Sequence, residues 1–375
     1  MEVADLRKLG LHAIQEGYMD RSPRLLNLLA DTPAVQCFPN LPANWNQIDG
    51  TIPYSDQDQA QRFEQGLEWH ENSCALDCII VAALLLDAGR RRVDQIDQEA
   101  MKKLGPLPRA LLYIIRKPWG ELLPKTLNAL RDDLRTMLAV HDPGRFPTNQ
   151  PCGLLSVADE LFAGLPQLHA TWTYALACCE AKNCSEWQYS RTAEGALKTR
   201  VLRGLPTLTR LHVGTDPPPP RTLQAILDAG FAKQPLTTSE AEALPKCDSA
   251  ACSKPFKIPV LVDRLPPVLI LTEDNLDIQA DSPTDLYSEV SVRCMGAGLI
   301  WTRAVRYRIE GYIVCQNKNH FTLCWQRRVP KSEYFQALAY DGLLKDGKFV
   351  QYPKLKTAYP KGAVLALVFL TRVDG

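Results

Sequence analysis

Hydrophobic positions recur at helical spacing through the first half of the chain and then give way to β-branched and aromatic runs. Val3 to Glu16 carries Leu6, Leu9, Leu11, Ala13 and Ile14 at intervals that fit one helical face, and Pro23 to Leu29 is a second short helical segment before Pro33. From Phe38 to Asp58 the pattern breaks into polar residues and prolines (Pro39, Pro42, Pro53), as in an extended segment, either a linker or a wrapping arm. Periodicity then returns. Ser73 to Asp87 predicts a helix stopped by Gly89, and Gln95 to Leu104 one stopped by Gly105. Leu122 to Val140 predicts a third, with Leu123, Leu127, Leu130, Leu134 and Leu138 on its apolar side. A loop rich in proline and glycine, Asp142 to Gly153, precedes another apolar helix, Leu154 to Gly164.

Beyond this block the texture changes. Ala170 to Leu176 is β-like, cysteines cluster, and Pro217 to Pro220 forms a stiff polyproline stretch. The last third is rich in β-branched and aromatic residues: Pro267 to Thr272, Glu289 to Cys294, Leu299 to Val314, Phe321 to Gln326 and Ala363 to Thr371 predict strands of one antiparallel sheet. Helices come first and strands later, which predicts an α+β class rather than a doubly wound α/β fold. No internal repeat runs through the chain.

Composition narrows the function classes. The 375 residues are 46% hydrophobic and 23% charged, enough to bury a large core. Lys and Arg total 43 against 42 for Asp and Glu, a net charge of +1 that offers no whole-molecule field for nucleic acid or an anionic membrane. The longest apolar run, Ile79 to Leu86, is far shorter than the roughly 20 residues that span a bilayer. Met1 to Tyr18 lacks an apolar run of signal-peptide type, so the twelve cysteines are expected in a reducing compartment, cytoplasmic or nuclear. There they serve as free thiols, metal ligands or nucleophiles.

One cysteine stands where chemistry is favoured. Asn72-Ser73-Cys74-Ala75-Leu76-Asp77-Cys78 opens the most apolar helix, with Asn72 or Ser73 available as N-cap, so Cys74 falls in its first turn. Unpaired N–H groups and the positive end of the helix dipole there stabilise a thiolate, and the same groups can stabilise an oxyanion formed by its attack on a carbonyl. Position alone also fits a small buried residue, the reading that suits Cys78 one turn on. Of the six histidines, His320 stands at the start of the apolar strand Phe321-Thr322-Leu323-Cys324-Trp325, and Asp341 follows an apolar segment just before a turn. Asp341 is a candidate to fix the His320 tautomer, and the chain order Cys, His, Asp is that of papain-type proteases.

Taken together, Asn72-Ser73-Cys74, Asn319-His320-Phe321 and Tyr340-Asp341 resemble the three boxes of the ubiquitin-specific protease family of papain-like deubiquitinases. Leu265 to Leu271 is similar to the strand leading into that family's palm, and Tyr307 to Val314 to the strand before its histidine box. Residues 74 and 320 lie 246 positions apart, about 100 more than in compact papain-like proteases, which predicts an insertion. The resemblance implies an extension at 1–67 and a catalytic domain at 68–375, with a helical thumb about 68–168, a fingers insertion about 169–256 and an antiparallel β palm about 257–375. Cys179-x4-Cys184 and Cys247-x4-Cys252 lie in that insertion, Cys178 being an alternative to Cys179. On spacing alone they are either free thiols or two knuckles of a four-cysteine zinc site. The family's zinc ribbon implies a structural zinc, with no cofactor for catalysis.

The chain departs from the family at informative positions. Trp69 stands where an Asn or Gln usually helps form the oxyanion hole, leaving Asn72, His70 or backbone N–H groups near Cys74 as donors; His70 is otherwise a plain surface histidine. Asn319 replaces a glycine, Asp77 an asparagine and Ala75 an aromatic. The Leu-Asp-Cys run after the nucleophile is more similar to the divergent SUMO isopeptidase branch. The implied activity is a thiol isopeptidase cutting after the C-terminal Gly-Gly of ubiquitin or a ubiquitin-like protein, SUMO included. The alternatives are a pseudo-protease that binds such a modifier without cutting it and a papain-like acyltransferase.

Overall fold

The computed structural model describes residues 66–88, 104–117, 122–147, 150–162, 260–272, 289–292, 304–317, 320–328 and 335–373, the strands at 171–175, 199–201 and 208–209, and isolated positions 119, 165, 223, 224 and 227. The helices are α1 (Cys74–Ala88), α2 (Pro106–Ile115), α3 (Pro124–His141), α4 (Leu154–Phe162) and the single turn α5 (Leu355–Ala358). The strands are β1 (Thr171–Ala175), β2 (Thr199–Val201), β3 (Leu208–Thr209), β4 (Val260–Arg264), β5 (Val268–Thr272), β6 (Val290–Val292), β7 (Val305–Gln316), β8 (His320–Arg328), β9 (Phe335–Tyr340), β10 (Val350–Tyr352) and β11 (Val364–Arg372). They fall into two compact units, one of residues 1–167 with 310–366, the other of 168–309 with 367–375.

In the first unit α1 is the central element. Its residues from Ile79 to Ala82 and Leu84 are fully buried, because an all-round apolar helix is stable only when every face is covered. It packs on β8 on one side and on α2, α3 and α4 on others. Asp87 in its last turn and Arg116 at the end of α2, both buried, face each other at 3.7 Å. The strands of this unit pair antiparallel, with the end of β7 on β8, β8 on β9 and β9 on β10. β8 lies against α5 as well as α1, which explains its uninterrupted buried run from Thr322 to Trp325 in place of strict alternation. On the α5 side Tyr312 Oη donates to Leu355 O at 2.9 Å and Cys324 Sγ to Ala358 O at 3.2 Å.

In the second unit β1 pairs antiparallel with β2 and with β4, with an irregular register between Thr171 and Trp172. There β5 pairs antiparallel with residues 367–371 and parallel with β3, a parallel pairing that departs from the all-antiparallel expectation. β6 pairs with residues 305–307, and the Gln224 side-chain amide closes two 2.7 Å bonds on the backbone of Ser291. Buried Tyr307 donates its hydroxyl to Pro266 O at 2.6 Å.

The α+β pattern and most predicted elements are present, with boundaries shifted by a few residues. Gly105 is the N-cap of α2, whose Pro106 and Pro108 need no intrahelical N–H partner in the first turn. Leu104 lies in a bend outside that helix. The segments Val3 to Glu16 and Pro23 to Leu29, residues 95–103, Asn319, and Cys178, Cys179, Cys184, Cys247 and Cys252 lie outside the described residues. Among those described, no helix is long and apolar enough to cross a membrane and no group of three or more His, Cys, Asp or Glu is placed to hold a metal ion.

Candidate active site

Cys74 is the first residue of α1 and is buried. Ser73 is the N-cap by position, since its carbonyl accepts the Asp77 N–H at 2.8 Å, but its hydroxyl does not cap the helix in the usual way. Instead Ser73 Oγ accepts the backbone N–H of His70 at 3.0 Å and donates to Asp77 Oδ2 at 2.5 Å. The Ser73 N–H in turn donates to His70 O at 3.1 Å. This tight turn carries Glu71 and Asn72 at φ 45° and 63°, left-handed geometry that is unusual for residues with a Cβ. It redirects the chain from the Glu68–His70 segment into the helix.

The imidazole reaches Cys74 through sheet register. β8 and β9 pair Leu323 with Tyr340, so continuing the ladder puts Asp341 across from Thr322. His320 lies two residues before Thr322 and hence on the same face of the strand. His320 Nε2 lies 2.9 Å from Asp341 Oδ1, and the same oxygen accepts the Leu343 N–H at 3.0 Å. A carboxylate only accepts, so Nε2 carries the proton of that bond and Nδ1 is left to face a second partner. Cys74 is that partner by chemistry: the His320 pKa is pushed up to about 9 by the hydrogen bond to Asp341 and then by that to the Cys74 side chain, partly offset by burial. The three residues separated along the sequence are thus assembled at one place.

Burial beneath Cys74 is polar as well as apolar. Asp77, fully buried, receives Ser73 Oγ and also Arg131 Nη1 at 3.2 Å. Desolvation pushes its carboxyl up to about 6, against the pull of Arg131 and Ser73. Arg131, on α3 and equally buried, donates Nη1 to Glu68 O at 2.6 Å and Nε to Asp132 Oδ1 at 2.9 Å. Burial alone would lower its pKa, but the Asp77 and Asp132 carboxylates outweigh it and the guanidinium is held above its usual value. Asn128, one turn before Asp132 on α3, accepts the Glu68 N–H at 3.1 Å and donates to the Glu68 carboxylate at 3.2 Å. Sequence reasoning missed Arg131, although a charged residue between Leu127, Leu130 and Leu134 on the apolar side of a helix was a visible signal.

The other candidates are less uniformly gathered. Trp69 is 38% exposed and enters the site by its backbone, whose N–H donates to Gly342 O at 3.0 Å. The His70 ring is 58% exposed and 4.0 Å from the Glu71 carboxylate, so it is the His70 backbone that joins the Ser73 turn. Asn72 is half-buried two residues before Cys74. A further contact ties the Asp341 loop to the Cys74 approach: Tyr340 Oη donates to Leu67 O at 2.7 Å, and Gly66 N–H to Gly347 O at 3.0 Å.

No family model matches the chain, and no curated protein does. Solved structures do. A chain of the SAGA DUB module (Ubp8, Sgf11, Sus1 and Sgf73) bound to monoubiquitin is similar at 12% identity and a TM-score of 0.52, over 88% of this chain and 73% of that one. The same module bound to ubiquitin aldehyde gives 13% identity and a TM-score of 0.53, over 88% and 74%. The Saccharomyces cerevisiae Pan2 pseudoubiquitin hydrolase–RNA exonuclease module in complex with AACCAA RNA gives 13% and 0.51, over 87% of this chain and 56% of that one. These likenesses define the class: the chain has a ubiquitin-hydrolase-like fold, with helices and an antiparallel sheet.

Proposed function

We propose that the chain is a thiol isopeptidase that hydrolyses the bond after the C-terminal glycine of ubiquitin or a ubiquitin-like modifier, SUMO being one candidate. The observation that carries this reading is the hydrogen-bonded run from Asp341 through His320 to Cys74 at a helix N-terminus. A cation and a helix N-terminus beside a cysteine are the two features that favour a thiolate. In the proposed reaction Cys74 Sγ attacks the glycine carbonyl, and the tetrahedral oxyanion is met by backbone N–H groups of the first turn, with Asn72 within reach along the chain. His320 passes its proton to the departing lysine amine. It then takes a proton from water, which attacks the thioester and releases the modifier and Cys74. Asp341 keeps the ring oriented throughout.

Likeness to the Ubp8-containing module with ubiquitin bound supports this modifier class, and the near-neutral charge favours a protein partner over nucleic acid. A structural zinc held by Cys179, Cys184, Cys247 and Cys252 belongs to the same proposal, as does a cytoplasmic or nuclear location. The second reading, a module that binds a modifier without cutting it, is favoured by the likeness to a pseudoubiquitin hydrolase and by Trp69 at the usual oxyanion-donor position. One experiment separates them. Ubiquitin and SUMO probes with a C-terminal electrophile should label Cys74 and fail on Cys74→Ala. Binding without labelling of the parent protein would establish the second reading instead.

A further inference from the structure

We infer that Ser73, Asp77 and Arg131 form a buried polar clamp that positions Cys74, making them positioning residues for the reaction proposed above, on which this inference rests. The clamp joins three parts of the chain. Arg131 on α3 holds the carbonyl of Glu68 at 2.6 Å, the Ser73 hydroxyl at 3.4 Å and Asp77 at 3.2 Å. Ser73 in turn fixes the His70 N–H at 3.0 Å. The segment held at both ends, 68–73, contains the two consecutive left-handed residues Glu71 and Asn72. Such geometry is costly for residues with a Cβ and persists only where surrounding contacts impose it. Here the imposing contacts are those of the clamp, and the residue that follows the turn is Cys74.

Stability alone gives little reason for this arrangement. A buried ion pair is often no more stable than the well-packed apolar pair that could replace it, because both charges must be desolvated. The first turn of α1 sits otherwise in an apolar core, with Ala75, Leu76, Cys78 and Ile79 all buried. What an apolar pair could not do is bind a backbone carbonyl and a hydroxyl in the turn before the nucleophile. The clamp therefore sets where Cys74 Sγ lies relative to His320, and a misplacement of about 1 Å in such a constellation can cost a hundredfold in rate.

The test uses the full chain with the double substitution Asp77→Leu/Arg131→Met and the single substitution Ser73→Ala. For each, kcat and KM on fluorogenic ubiquitin and SUMO substrates, the thermal midpoint, and the rate of Cys74 alkylation by iodoacetamide with Cys152 as internal reference are measured. The double variant is expected to keep a thermal midpoint within a few degrees of the parent while kcat and Cys74 alkylation fall about tenfold or more and KM changes less than threefold. If the double variant does not fold, Ser73→Ala decides, with the same split expected at a smaller magnitude. Folded variants with parental kcat and parental Cys74 alkylation overturn the clamp. If the parent hydrolyses neither substrate, the isopeptidase reading fails separately, and the alkylation ratio still decides whether the clamp positions Cys74.

Discussion

His320 Nε2 sits 2.9 Å from Asp341 Oδ1, because His320 opens β8 and Asp341 directly follows β9, so that the two face each other diagonally at the end of the ladder. Asp341 is itself fixed, because the same oxygen accepts the Leu343 N–H. The orienting acid is thus tied to the loop that follows it, and the histidine ring takes its direction from that carboxylate.

This pairing has a defined pH signature. The hydrogen bond to Asp341, then that to Cys74, raises His320 from 6.5 to about 9. A folded-state value above the unfolded one means that the stabilisation is complete below about pH 6.5 and is lost as pH rises through about 9. Histidine NMR titration of the parent should place the His320 midpoint near 9, and Asp341→Asn should return it towards 6.5. The difference in thermal midpoint between parent and Asp341→Asn should be largest near pH 6 and vanish by about pH 10. An unchanged midpoint in the variant would show that Asp341 does not hold the ring.

Tyr340 links the acid to the nucleophile's approach segment, since its buried hydroxyl donates to Leu67 O at 2.7 Å. Tyr340→Phe keeps the ring and its contact with Phe349 but leaves a buried carbonyl without this donor. The expected loss is about 1–3 kcal/mol in urea denaturation, with a drop in kcat larger than any change in KM.

Much of the candidate site was legible in the sequence because its signals are local. A small polar residue before a cysteine and an apolar run announces a helix start, and a histidine at the head of Phe321-Thr322-Leu323-Cys324-Trp325 announces a strand start. The apolar stripes of α1 and α4 and the β-branched runs of β5, β8 and β11 were visible for the same reason. β9 was not, since Phe335-Gln336-Ala337-Leu338-Ala339-Tyr340 is six residues long and half alanine and glutamine, and it is a strand because β8 and β10 flank it. α2 was hidden because its Pro106 and Pro108, which mark a first helical turn, were passed over after Gly105. Least legible were the contacts across long separations, the Arg131 bond to Glu68 and the Gly66 bond to Gly347, which no local pattern encodes.

Two glycines test that long-range docking directly. Gly347 and Gly362 share nearly the same φ, 72° and 73°, but a Cβ at Gly347 would collide with Leu67 O whereas one at Gly362 meets nothing within 4 Å. Gly362→Ala should therefore cost only the left-handed penalty, about 1–2 kcal/mol. Gly347→Ala should cost that plus the displacement of the 66–69 segment, and so lose more stability and, unlike Gly362→Ala, activity. Equal losses in the two variants would show that the segment gives way freely and does not depend on the loop after Asp341.

The proposed zinc site concerns Cys179, Cys184, Cys247 and Cys252, which lie outside the described residues, and its expectation rests on spacing and on the family resemblance. Two thiolates from each x4 knuckle complete a tetrahedral sphere with no open position, so the metal would stabilise without taking part in chemistry. The twelve cysteines make this measurable. Protein purified without chelator should carry about one zinc per chain by elemental analysis, and thiol titration of the folded protein should find about four more reactive cysteines after chelation than before. Replacing any of the four by serine should lower zinc content and the thermal midpoint together, while electrophile labelling of Cys74 in the protein that remains folded stays within a few-fold of the parent. A metal-free parent, or full zinc content in a Cys179→Ser/Cys247→Ser variant, would return these residues to the class of free thiols.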